Sequence, residues 1–211
     1  MTIHSTANDR VMVWDRFIRF FHWSLVLGFS SAYLTAEFNE IDLHELVGYF
    51  LVLLVLSRVV WGFIGSPYAR FSSFLFSFRT SLEYIHSLRS GTPTHYLGHN
   101  PLGAAMVFSL LFTLGAVFVT GLITLAGIEF EGPLLPFIKN LSDAQVYLVQ
   151  DIHEILTNVM LVLIFFHVVG AISASIQHKE NLILAMFSGR KHMHSNCSIQ
   201  TKGKYNEKEI G

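Results

Sequence analysis

Four apolar runs constrain this chain more than any other feature: about Phe17 to Ala36, His44 to Ile64, Pro101 to Ile128 and Asp151 to Ile176. Each has the roughly 20 residues needed to cross a hydrocarbon layer of about 30 Å. Hydrocarbon offers no water to unpaired N–H and C=O groups, so each run must be helical. The expectation is an all-α integral membrane protein folded as a four-transmembrane-helix bundle, with lipid as its first partner. Composition agrees, since 52% of the 211 residues are hydrophobic and only 14% are charged, outside the range of ordinary soluble domains. A net charge of −1 speaks against nucleic acid as a partner. The single cysteine, Cys197, forms no internal disulfide, and without a CxxCH motif no haem is attached covalently.

Orientation follows from the cations, because Lys and Arg in short loops resist translocation. Of the 14 Lys and Arg residues, only Lys139 falls in a connection on the far side; the others lie before or near the start of the first span, towards the end of the second span or in the connection after it, or after the fourth span. Both termini are therefore expected in the cytoplasm. The first run is longer than a signal-peptide core and no small-residue cleavage site follows, so it reads as retained. Between spans two and three, Phe71, Phe74, Leu75, Phe78, Leu82 and Ile85 recur at helical spacing among polar residues, which predicts a cytoplasmic interfacial helix. His99-Asn100-Pro101 reads as a helix start. Residues 1–180 form the membrane domain in this reading, and 181–211 a polar, disordered cytoplasmic tail.

Ionisable residues within spans are costly and point to function. Four histidines qualify: His22, His44, His153 and His167. His153 and His167 are 14 residues apart on one helix, about 21 Å of rise and only about 40° short of whole turns, so they share a face at two depths. By span direction His22 falls at the inner level with His167, and His44 at the outer level with His153. Each histidine taken singly can equally hydrogen-bond a neighbouring helix. Jointly, two opposed imidazoles at each of two levels suit the axial positions of two haems. Arg58 lies 14 residues after His44, and Arg19 three before His22; both are candidate partners for haem propionates at the inner level. Gly48 and Gly170 leave room for a flat macrocycle, or serve equally as helix-packing positions. His4, His86, His95, His99, His178, His192 and His194 read as solvated, a metal site of His192, His194 and Cys197 as incidental, and Trp14, Trp23 and Trp61 as interface anchors.

The residues Arg19-Phe-Phe-His22-Trp23, His44-x-x-x-Gly48, Arg58-x-x-Trp61-Gly62 and Gly98-His99-Asn100-Pro101-Leu102-Gly103, together with His153 and His167, resemble the bacterial di-haem cytochrome b family. That family groups cytochrome b561 with the cytochrome b subunits of nickel-iron hydrogenases, and the likeness covers about Val13 to Gln177. It implies two haem b groups held from the first, second and fourth spans, with the third span contributing packing only. It also implies a quinone as exchangeable redox substrate and a periplasmic partner, either a multihaem cytochrome c or a hydrogenase or reductase subunit.

With both axial sites filled by imidazole, such a haem passes electrons and has no open position for oxygen. The expected function is transmembrane electron transfer between the quinone pool and the periplasmic partner. Whether the chain is itself an enzyme stays open, as does a homodimer. Within the family the alternative is a stand-alone superoxide:ubiquinone oxidoreductase, which would need outer cations to attract its substrate. From another class, the alternatives are a haem-free small transporter or a membrane anchor.

Overall fold

The computed structural model describes residues 10–91, 96, 98–177 and 180–192. They divide into two compact units, one of the described residues up to 104 with those from 171 on, the other from 105–170.

The first unit opens with strand β1 (Arg10–Met12) and helices α1 (Arg16–Glu37) and α2 (Ile41–Ile64). Asp15 caps α1, its side chain accepting from Ile18 N–H at 2.8 Å, which satisfies one of the orphan donors of the first turn. A short turn through Asn39, at φ 58°, folds α2 back along α1. The two approach closely at Gly28, where a Cβ would lie 2.6 Å from Leu51 Cδ2.

After α2 the chain forms a 3₁₀ turn (Phe71–Ser73) and then helix α3 (Phe78–Arg89). The expected helix beginning at Phe71 thus starts seven residues later, at a Ser77 cap that accepts from Thr80 N–H. Its first apolar positions turn inward instead of continuing the pattern. Phe74 is 2% exposed, and the Phe71 ring lies where a Cβ on Gly62 would be 2.1 Å from it.

Helix α4 (Pro101–Thr124) begins as its sequence predicts, with Asn100 Oδ1 accepting from Gly103 N–H at 2.7 Å. In the second unit it continues as a π-helical turn (Leu125–Glu129) and ends at Phe130 in the left-handed region. Helix α5 (Asp143–Gln177) has 35 residues, about 52 Å at 1.5 Å each. The π turn meets it closely, since a Cβ on Gly127 would be 2.4 Å from Val146 Cγ1.

Part of the expected tail is folded. Helix α6 (Leu182–Ser188) is capped by Asn181, and strand β2 (Arg190–His192) pairs antiparallel with β1, Val11 opposite Lys191. Gly189 makes the join: at φ 79° it adopts a conformation that disfavours side chains. Its carbonyl accepts from Val13 and Trp14 N–H at 2.9 and 3.1 Å. The rest of the tail, with His194 and Cys197, lies outside the described residues.

Among the described residues, length and composition qualify three helices to cross a membrane: Ile41–Ile64, Pro101–Glu129 and Asp143–Gln177. The segment expected as the first span forms helix α1, whose 22 residues extend about 33 Å, but it is not among these three. Its Arg16, Arg19, His22, Ser24, Ser30, Ser31 and Thr35 make it more polar than the other three.

Candidate functional site

All four candidate histidines are helical and half-buried. His22 and His44, with Arg19 and Arg58, belong to the first unit; His153 and His167 belong to the second.

His44 sits in the first turn of α2, where its Nδ1 lies 2.8 Å from the Ala32 carbonyl of α1. A carbonyl only accepts, so Nδ1 carries the proton and Nε2 the lone pair. His153 repeats the arrangement on α5. Its Nδ1 lies 3.0 Å from the Val117 carbonyl and 3.1 Å from Thr120 Oγ1, both on α4. The Thr120 hydroxyl is oriented by carbonyls of its own helix, 2.9 Å from Ala116 and 3.0 Å from Val117. Gly121 permits this approach, because a Cβ there would be only 3.0 Å from His153 Cε1. Helix α4 therefore does more than pack: it supplies two acceptors to one of the candidate ligands. Metal-bound histidines characteristically donate their second N–H in this way, which fixes the tautomer and the ring direction.

Arg58 is 5% exposed. Its Nη2 donates to the Ala69 carbonyl at 3.1 Å, and its guanidinium lies 4.8 Å from the centre of the Phe71 ring. Arg19 Nη1 donates to the Phe187 carbonyl at 2.6 Å. Each keeps one buried nitrogen, Arg58 Nη1 and Arg19 Nε, without a hydrogen-bond partner among the described residues. Buried polar atoms left in that state are uncommon, and both would suit the carboxylates of a bound group. At Gly48 and Gly170 an added Cβ would meet no described atom within 4 Å. These donors and clearances fit haem.

Around Arg58 the chain builds a cluster that the sequence reading missed. Trp14, Val13, Ile18 and Ala69 are buried together. Asp15 accepts from Trp61 Nε1 at 3.0 Å and from Ser66 Oγ. Trp61 packs at a tilt against Phe17 and Trp23 stacks on Phe187, so the three tryptophans expected as interface anchors pack against protein. His99, expected to be solvated, lies between Trp14 and Phe74, 4.7 Å from each ring centre. Lys191 pairs with Glu180 at 4.0 Å, with side chains 6% and 5% exposed.

A membrane protein of long apolar helices, carrying helix-borne histidines whose Nδ1 atoms are fixed by neighbouring backbone, is of the haem-binding, electron-transferring class. The chain belongs to the prokaryotic cytochrome b561 family, whose pattern matches residues 13–189. Among its relatives is a probable Ni/Fe-hydrogenase B-type cytochrome subunit of Rhizobium leguminosarum bv. viciae, 27% identical over 90% of this chain and 97% of the relative. Proteins of the same description occur in Azotobacter vinelandii, 27% identical over 85% of this chain and 87% of the relative, and in Rhodobacter capsulatus, 23% identical over 86% and 81%. No solved structure matches the chain.

Proposed function

We propose that the chain carries electrons across the bacterial inner membrane through two b-type haems. In this reading α1, α2, α4 and α5 are the four spans of one bundle, residues before α1 and after α5 are cytoplasmic, and α3 lies on the inner surface. His22 and His167 would hold the inner haem, and His44 and His153 the outer one. Arg58 and Arg19 would offer their remaining N–H groups to propionates of the inner haem. The haems supply reversible one-electron chemistry. The chain sets their axial ligands, excludes water and neutralises propionate charge. The electrons run between the quinone pool and a periplasmic partner. That the relatives are described as probable Ni/Fe-hydrogenase B-type cytochrome subunits favours the catalytic part of a Ni/Fe hydrogenase as that partner over a multihaem cytochrome c.

The observation that carries the proposal is the matched tautomer of His44 and His153, each with Nδ1–H given to the helix before it and Nε2 left as the basic nitrogen. In a bare anchor the same bonds would only tie helices together, so haem content separates the two readings. The test is the reduced-minus-oxidised visible spectrum and haem content of the purified protein and three variants. Wild type should hold two low-spin b haems. His44→Ala and His153→Ala should lose the same component, and His167→Ala the other. Wild type without haem, or His44→Ala and His167→Ala losing the same component, overturns the proposal.

A further inference from the structure

We infer that Thr120, on the span expected only to pack, is a positioning residue that tunes the outer haem through His153; the inference rests on His153 being an axial ligand. Thr120 Oγ1 is 3.1 Å from His153 Nδ1 and 2.9 Å from the Ala116 carbonyl. A hydroxyl has one proton. Giving it to Ala116 aims an oxygen lone pair at the imidazole, so Thr120 acts as an acceptor. The imidazole N–H is thus shared between Thr120 and the Val117 carbonyl at 3.0 Å, one helical turn being folded around a single donor.

Two consequences follow. Two acceptors fix the ring plane more tightly than one, and the missing side chain at Gly121 is what admits the ring, since a Cβ there would lie 3.0 Å from Cε1. Both acceptors also draw the Nδ1 proton outward, which raises the basicity of Nε2. A more basic axial nitrogen favours the oxidised iron, and hydrogen bonding around a ligand is one of the means by which a protein sets haem potential. Thr120 therefore holds the outer haem at a lower potential than Val117 alone would.

The test compares Thr120→Val, which keeps the shape and removes the acceptor, with Thr120→Ser, which keeps the hydroxyl, in the full-length haem-loaded protein. Haem content is measured first, then each midpoint potential by spectroelectrochemical titration. The component missing from His153→Ala identifies the outer haem. In Thr120→Val that component should shift to higher potential, or be lost, while the inner one stays in place; Thr120→Ser should match wild type in both respects. Unchanged midpoints in Thr120→Val, a shift of both midpoints together, or a serine variant behaving like the valine variant overturns the inference. If His153→Ala retains both haems, it is the ligand assignment that has failed instead.

Discussion

The spans and the cluster around Trp14 follow opposite rules. Along the spans large apolar side chains face outward, as with Phe112 at 80% exposure and Leu53 at 67%. That pattern is ruinous in water and ordinary in lipid. In the cluster, Val13, Phe74 and Ala69 are buried, and Asp15, Trp61 and Ser66 satisfy one another, as in the core of a soluble domain. One chain thus uses two solvents. Hydrophobic burial stabilises the cluster, whereas in lipid the spans gain nothing from hiding a phenylalanine and depend on packing and backbone hydrogen bonds.

The sharpest way to break this contrast is to make the same truncation in both regions. Phe74→Ala should cost about 3–5 kcal/mol, the range for emptying a buried aromatic site. Phe112→Ala should stay within about 0.5 kcal/mol, as for exposed positions. Denaturant unfolding in detergent micelles, followed by near-UV circular dichroism, measures both, and equal costs would show that one rule governs the whole chain. A smaller effect is expected at the buried Lys191–Glu180 pair. Lys191→Met removes the cation of the pair and should cost about 3 kcal/mol, while adding Glu180→Leu should recover most of it, since an apolar pair suits a dry site. A double variant no more stable than the single one would show that Glu180 is held by other means.

The two regions also differ in how far their sequences could be read. A span announces itself in about 20 consecutive residues, because hydrocarbon filters each residue locally. The Asn100-Pro101 start of α4 was equally local. The four candidate ligands were legible because a histidine in an apolar run is expensive. Their acceptors were not: the Ala32 and Val117 carbonyls leave no mark in a sequence, and Thr120 on an apolar helix looks like any packing residue. The cluster was illegible because its parts are distant, with Val13 and Trp14 bonding Gly189 and Phe71 turning back over Arg58. One signal was available. Asn181, the apolar run from Leu182 and Gly189 form a cap, a helix and a stop, the punctuation of an ordered helix inside a stretch read as tail.

The smallest effect expected, and the one that most directly tests whether the cluster behaves as a water-facing core, is its response to acid. Burial alone would raise the Asp15 carboxyl, but hydrogen bonds from Ser66, Ile18 N–H and Trp61, with a further one from Phe17 N–H, outweigh it and hold the group below its ordinary carboxylate value. A carboxylate with a depressed folded-state pKa contributes stability that is present above the unfolded-state value. That contribution is lost as pH falls through the folded-state value. Thermal stability in detergent should therefore be flat near neutrality and decline below about pH 4, the range of unperturbed aspartate. Asp15→Asn keeps an acceptor for the Ile18 cap, so it should remain within about 1 kcal/mol of wild type at pH 7 and show a shallower acid limb. If the limb is as steep in Asp15→Asn as in wild type, the acid response comes from other carboxylates, and Asp15 serves the cluster only as the cap of α1.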